Sequence, residues 1–200
     1  MPFELLRSLV WMDYRLAVVF TVLCPLGLLI WAFVKNAQAI STLLIIYWRV
    51  ASLLLITVYL LMTGNAVGLI TGLMALLLIP LTLWFWADLN EEIEDQRGWL
   101  KLIFAAWRWA TTLYCIGAIL GQISTLSCVF SAVARASDRC QLWFQPAIGF
   151  GSIFHSDLGS TTVSNRLEFV AFIGLVFYGL YFLNFLTLRL SKKGRSATGF

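Results

Sequence analysis

The sequence predicts an all-α fold: a polytopic transmembrane helical bundle of about five spans in a single membrane domain, residues 1–200. Three observations predict it. The chain is 60% hydrophobic and only 12% charged, whereas soluble domains carry about 25% charged residues. The apolar residues fall in runs long enough to cross a bilayer. Two of these runs, between Leu43 and Trp86, are joined only by Thr63-Gly64-Asn65, a connection so short that the two helices must be antiparallel neighbours. Nine Trp and six Tyr suit the aromatic belt of a membrane interface. The net charge of +4 then reports which ends face the cytoplasm, so nucleic acid is not an expected partner.

Residues 1–15 place Phe3, Leu6, Val10 and Trp11 on one helical face. They read either as a short interfacial helix or as a partly ordered tail. The first span covers residues 16–34. Ala37-Gln38-Ala39 after it resembles a signal-peptidase site, but the apolar run exceeds the roughly 7–15 residues of a signal h-region, and Glu4 and Asp13 precede it. An uncleaved anchor is expected. Pro25 should kink it, because proline leaves a carbonyl of the preceding turn without its donor.

The second and third spans cover 43–61 and 66–86, with Pro80 as a kink in the third. Gly64, Gly68 and Gly72 recur every four residues, and Gly117 and Gly121 repeat the spacing in the fourth span, 102–121. Such stripes allow close backbone approach, either between helices of this chain or against a partner protein. Residues 87–101 are polar, and Asp88, Glu91, Glu92, Glu94 and Asp95 supply half of the ten acids in the chain. No metal-ligand spacing accompanies them, so a solvated face is expected rather than a metal site. A long loop, 122–168, carries Cys128, Cys140, His155 and Asp157, and its apolar stretch QLWFQPAIGFGSIF is too short and glycine-rich to span. The fifth span is 169–188, and Arg189, Lys192, Lys193 and Arg195 form a basic tail.

Five spans put the termini on opposite sides. Nine basic residues on the C-terminal face against five on the other favour a cytoplasmic C-terminus and a lumenal or periplasmic long loop. There Cys128 and Cys140 would oxidise, closing a loop whose constraint is worth about 3 kcal/mol; two unrelated thiols are the alternative.

Trp48-Arg49-Val50-Ala51-Ser52 matches Trp107-Arg108-Trp109-Ala110-Thr111 locally. Each arginine sits about six residues into its span from the same face, at a depth of roughly 9 Å. Intramembrane arginines are usually paired, functional or snorkelling. Pairing would draw on the acidic segment of the same face, with Glu91 and Glu92 the expected partners; binding of an anionic lipid headgroup or substrate is the other reading. His155 stands alone, and no span holds a haem-ligating His. Neither a phosphate-binding glycine loop nor a nucleophile set is present. No catalytic residue, metal or cofactor is therefore predicted, with a bound pigment or lipid left open, and the chain is not expected to be an enzyme.

Asp13-Tyr14-Arg15-Leu16, Tyr47-Trp48-Arg49-Val50-Ala51-Ser52 and Trp84-Phe85-Trp86-Ala87-Asp88-Leu89-Asn90-Glu91-Glu92 resemble an uncharacterised integral membrane family of cyanobacteria, a domain of unknown function, over nearly the whole chain. The resemblance implies a setting, the thylakoid or plasma membrane of a photosynthetic bacterium, and carries over no functional residue. With short loops, glycine faces and no catalytic groups, the expected function is a non-catalytic accessory or assembly subunit that contacts other membrane subunits of a photosynthetic or respiratory complex. The competing expectation is a small transporter or lipid-binding protein that uses Arg49 and Arg108 on an anion.

Overall fold

The computed structural model describes residues 3–155, 160–190 and 196, with helices and turns but no strand among them. Asp157, Lys192, Lys193 and Arg195 lie outside the described residues. Among the described residues, five helices are long and apolar enough to cross a membrane: Phe3–Val34, Gln38–Met62, Val67–Phe85, Trp99–Gln122 and Thr161–Thr187. Helices of this kind indicate a membrane protein.

The first begins well before residue 16. Helix α1, Phe3–Val18, runs through a π turn at Val19–Leu23 into α2, Cys24–Val34. The 32 residues give about 48 Å of helix, against an apolar slab of about 30 Å. The charges near the N-terminus do not interrupt the helix, and Asp13 accepts a hydrogen bond from the Tyr114 hydroxyl at 3.1 Å. A turn at Lys35–Asn36, with Asn36 at a φ of 52°, leads into α3, Gln38–Met62. Gly64, at a φ of 71°, makes the next turn. Helix α4 is Val67–Phe85.

Helix α3 is the hub, in contact with α2 and α4 and with three helices yet to come in the chain. Its residues Ile40, Leu43, Leu44 and Tyr47 are all fully buried, at the i, i+3, i+4, i+7 spacing of one helical face. The main core gathers these with Leu28 and Ala32 of α2, Leu76, Ile79 and Leu83 of α4, and Phe104 and Trp107.

The polar segment after Trp86 is itself helical. Helix α5, Ala87–Asp95, buries Leu89 and Ile93 and leaves Glu91 and Glu92 exposed. Helix α6 is Trp99–Gln122, with Phe104, Trp107, Arg108, Thr111, Cys115 and Ala118 on its buried face.

The expected long loop is not one. After a 3₁₀ turn come α7, Leu126–Phe130, and α8, Ala132–Arg135. Helix α9, Asp138–Phe154, packs on α1 and α3. It contains Pro146, yet Cys140, Phe144, Ala147 and Gly151 are buried at helical intervals. Trp11 and Tyr14 of α1 meet it: a Cβ placed on Gly149 would lie 3.1 Å from the Trp11 ring, and the Tyr14 and Phe150 ring centroids are 6.2 Å apart. A smaller core, Leu69, Cys128, Cys140 and Phe144, joins this subassembly to α4. Helix α10, Thr161–Asn184, continues as a π turn and rests on α3. Only 6% of its most apolar stretch is buried.

Candidate functional site

The break at Pro25 organises the first span. Proline has no N–H, so the carbonyl four residues back, on Thr21, loses its helical donor. In the adjoining π turn the Cys24 N–H reaches back to the Val19 carbonyl, which passes over Phe20. Both stranded carbonyls are taken up by side chains of other helices. The Tyr47 hydroxyl of α3 donates to Thr21 O at 2.6 Å, and the Trp107 indole of α6 donates to Phe20 O at 2.8 Å. The two rings meet edge to face, with centroids 5.4 Å apart. Apolar surroundings make an unpaired carbonyl costly, so the kink fixes α2, α3 and α6 together.

The two arginines, alike in sequence, have different surroundings. Arg108 lies on the buried face of α6 and is 8% exposed. Its Nη1 donates to Asn90 Oδ1 at 2.7 Å, and its Cζ sits 3.7 Å from the centroid of the Trp84 ring. That ring is held in turn: Trp84 Nε1 donates to Thr112 Oγ1 at 3.0 Å, and Thr112 Oγ1 donates to the Arg108 carbonyl at 2.8 Å. Asn90 Nδ2 donates to the Trp84 carbonyl at 3.3 Å. The guanidinium thus ties α4, α5 and α6 by one neutral hydrogen bond and a cation–π contact, the latter worth about 2 kcal/mol when desolvated. Arg108 Nε has no partner.

The carboxylates expected to draw in an arginine do not do so. No ion pair joins Arg49 or Arg108 to Glu91 or Glu92 among the described residues; the tie from α5 runs through Asn90, their neighbour. Leu89 and Ile93 must face the core, and Asn90 falls beside them while Glu91 and Glu92 turn to solvent. Arg49 is exposed, on the side of α3 that faces α10, and its Nη1 lies 3.5 Å from the Tyr181 hydroxyl. The two arginines therefore do not converge on one site.

The glycine stripes also divide. A Cβ on Gly68 would lie 2.9 Å from the Leu61 side chain and 3.0 Å from its backbone nitrogen, and one on Gly72 would lie 3.2 Å from Thr57. These glycines let α3 and α4 close to the point where the Thr57 and Thr71 hydroxyls hydrogen-bond at 2.9 Å. Gly64 serves the turn. At Gly117 and Gly121 a Cβ would meet nothing within 4 Å; both face out from α6 beside Leu113, Ile116 and Leu120.

Cys128 and Cys140 form a disulfide between α7 and α9. His155, at the end of α9, stacks edge-on to Tyr59 with centroids 6.1 Å apart. No group of three metal-ligating side chains forms among the described residues. Sequence reasoning did not find the roles of Tyr47, Trp107 and Asn90. The one available signal was Pro25, which points to Thr21 O but not to its donor.

Residues 7–198 match a family described as a protein of unknown function, DUF3177. The chain belongs to this family. No curated protein and no solved structure matches it. The DUF3177 match takes in the Pro25 break, both arginines, both glycine stripes and the disulfide. The family description assigns no activity, so the geometry of these features bears on what this DUF3177 protein does.

Proposed function

We propose that the protein is a non-catalytic integral membrane protein that acts as an accessory or assembly subunit of a larger membrane complex, photosynthetic or respiratory in the setting the sequence resemblance implies. The observation that carries this reading is the outward Gly117–Gly121 stripe on α6. Each glycine inside a helix costs about 1 kcal/mol relative to alanine. Gly68 and Gly72 offset that cost by letting α3 and α4 meet, whereas a Cβ at Gly117 or Gly121 would have open space around it. Between helices in lipid, association rests on close packing at small residues, and this stripe supplies such a face to a second protein. The thin burial of α10 agrees with a subunit completed by neighbours.

The host is a thylakoid or plasma membrane, with the C-terminus cytoplasmic and α7–α9 on the lumenal or periplasmic side. Disulfides persist outside the cytoplasm, so the Cys128–Cys140 bond supports that orientation, as does the nine-to-five excess of basic residues on the opposite face. Transport of an anion by Arg49 and Arg108 together is not carried forward, because Arg108 is engaged with Asn90 and Trp84.

The test is native electrophoresis in mild detergent with mass spectrometry of what co-migrates. Wild type should run with a large complex. A Gly117→Leu/Gly121→Leu variant should run alone while keeping its helical content and its disulfide. Wild type running as a monomer, or the variant staying in the complex, would overturn the reading.

A further inference from the structure

A groove of about 100 Å³ opens on the outer surface of the bundle between α3, α4 and α10. Its wall is apolar, formed by residues such as Leu78, Leu81 and Phe182, and Arg49 belongs to its lining. Three polar groups in this lining are under-used. The first is Arg49 itself, which presents five N–H donors and has one hydrogen bond, at the 3.5 Å limit, to Tyr181. The second is Trp86, 3% exposed, whose indole N–H has no acceptor. The third is Tyr178, whose hydroxyl is shut from solvent and has no partner. Of the five buried side-chain atoms without a hydrogen bond among the described residues, two line this one groove. Elsewhere in the bundle Tyr47, Trp84, Trp107 and Tyr114 hydrogen-bond, and the other three unpaired atoms, on Trp48, Arg108 and Thr111, are not gathered in one groove. Unpaired buried donors are rare enough to need an explanation, and a ligand in the groove toward which these two side chains turn supplies one.

The placement fits an amphiphile. The lining runs from Leu78 to Trp86 on α4 and from Tyr178 to Leu186 on α10, about 12 Å at 1.5 Å per residue. Trp86 follows the last residue of α4 and Phe185 the last of α10, so the outer mouth lies where these helices end. Arg49 is further in, but helical side chains lean toward the N-terminus of their helix. For α3 that is the same end, and an arginine can snorkel from such a depth to the interface. The groove thus offers one positive group, part-way along its lining and able to reach toward the mouth, on an otherwise apolar wall.

We propose that this groove holds one anionic membrane lipid, its phosphate or sulfonate headgroup on Arg49 and part of an acyl chain against the wall of α4 and α10. The headgroup oxygens accept from the exposed guanidinium, and the ester oxygens reach the Tyr178 hydroxyl and the Trp86 indole once those side chains turn into the groove. Occupancy also joins α10, which is otherwise thinly held, to the α3–α4 pair. This site is independent of the outward glycine stripe, so it stands or falls separately from the assembly proposal.

The experiment is native mass spectrometry of the whole protein after detergent exchange, with phosphatidylglycerol or phosphatidylcholine added back in turn, and with inorganic phosphate as a competitor. Wild type should retain one phosphatidylglycerol per chain, at least tenfold in preference to phosphatidylcholine, and millimolar phosphate should not displace it. Arg49→Gln should bring the two lipids to parity, and Arg49→Lys should keep part of the preference. Leu78→Trp, which fills the groove, should lower retention of both lipids with the Cys128–Cys140 disulfide intact. If Arg49→Gln does not fold, the wild-type preference and Arg49→Lys decide. Equal retention of the two lipids by wild type overturns the proposal, as does an unchanged preference in Arg49→Gln. Displacement by phosphate would indicate a free anion instead. Loss of a co-purifying protein from Arg49→Gln with lipid retention unchanged would indicate a partner carboxylate, and either result also overturns it.

Discussion

Replacing Tyr47 with phenylalanine removes a single oxygen and tests whether the break at Pro25 is held from outside its own helix. Tyr47 has 0% exposure, and its hydroxyl donates to Thr21 O at 2.6 Å. The ring would stay in place, so the edge-on contact with Trp107 and the core volume are kept, and the loss is the hydrogen bond alone. Such bonds contribute about 1 kcal/mol net, and leaving the acceptor buried and unpaired raises the loss toward 1–3 kcal/mol. Interhelical bonds in a membrane average less, about 0.6 kcal/mol with a maximum near 1.7. A destabilisation of about 1–1.5 kcal/mol is therefore expected. The sharper expectation is a coupling. Pro25→Ala restores an N–H that can reach Thr21 O, so the hydroxyl ceases to be the only donor. Tyr47→Phe should then cost about half as much in the Pro25→Ala background. The assay is a double-mutant cycle read by reversible unfolding in mixed micelles. An equal cost for Tyr47→Phe in both backgrounds would refute the reasoning, because the hydroxyl would then not be answering the proline.

Gly68→Ala should destabilise the protein by about 1–3 kcal/mol through overpacking against Leu61, while Gly117→Ala should leave the isolated protein unchanged or slightly more stable; thermal melts in detergent compare them. Arg108→Lys keeps the charge but loses the flat stacking on Trp84 and the guanidinium geometry at Asn90, so unfolding in the same micelles should show a loss of about 1–2 kcal/mol. Cys128 and Cys140 should resist a thiol-reactive mass tag until a reductant is added. Cys128→Ser should cost about 3 kcal/mol, from the closure entropy of a 12-residue separation, and should speed proteolysis of α9 in a limited-digestion time course.

The spans were legible because lipid imposes a crude rule: a long apolar run that satisfies its own backbone is a helix. What escaped the sequence was anything that depends on rotation about a helix axis. Trp48-Arg49 and Trp107-Arg108 share residue types, and Arg49 and Arg108 lie 11 and 9 residues beyond the first residues of their helices, Gln38 and Trp99, yet Arg108 is turned into the bundle and Arg49 toward α10. Azimuth is set by the packing of the whole helix, by Phe104, Thr111 and Cys115 in one case and Leu43, Leu44 and Tyr47 in the other. The same applies to the glycines: spacing marks a close-packing face without saying which face meets a neighbour. Helix α9 was missed for another reason. Pro146 and two glycines, Gly149 and Gly151, between Asp138 and Phe154 weaken its local signal, and tertiary contacts with Trp11, Tyr14 and α3 override it. The acidic segment pointed to the right element but the wrong side chain, because an exposed carboxylate is well solvated and Asn90 faces inward.

The Asn65 side chain has two duties. Its Oδ1 accepts from the Val67 N–H at 2.8 Å and so shapes the turn into α4, and its Nδ2 donates to Glu168 of α10, 103 residues further along the chain. During synthesis these duties are separated in time. The turn is complete as soon as α4 emerges, and a connection this short obliges α3 and α4 to leave the insertion machinery as one hairpin. The partner for Nδ2 does not exist until more than half of the chain has been added. The α3–α4 hairpin must therefore persist through most of the chain's synthesis without α10, and the addition of Glu168 is the earliest point at which Asn65 can fix the two to each other.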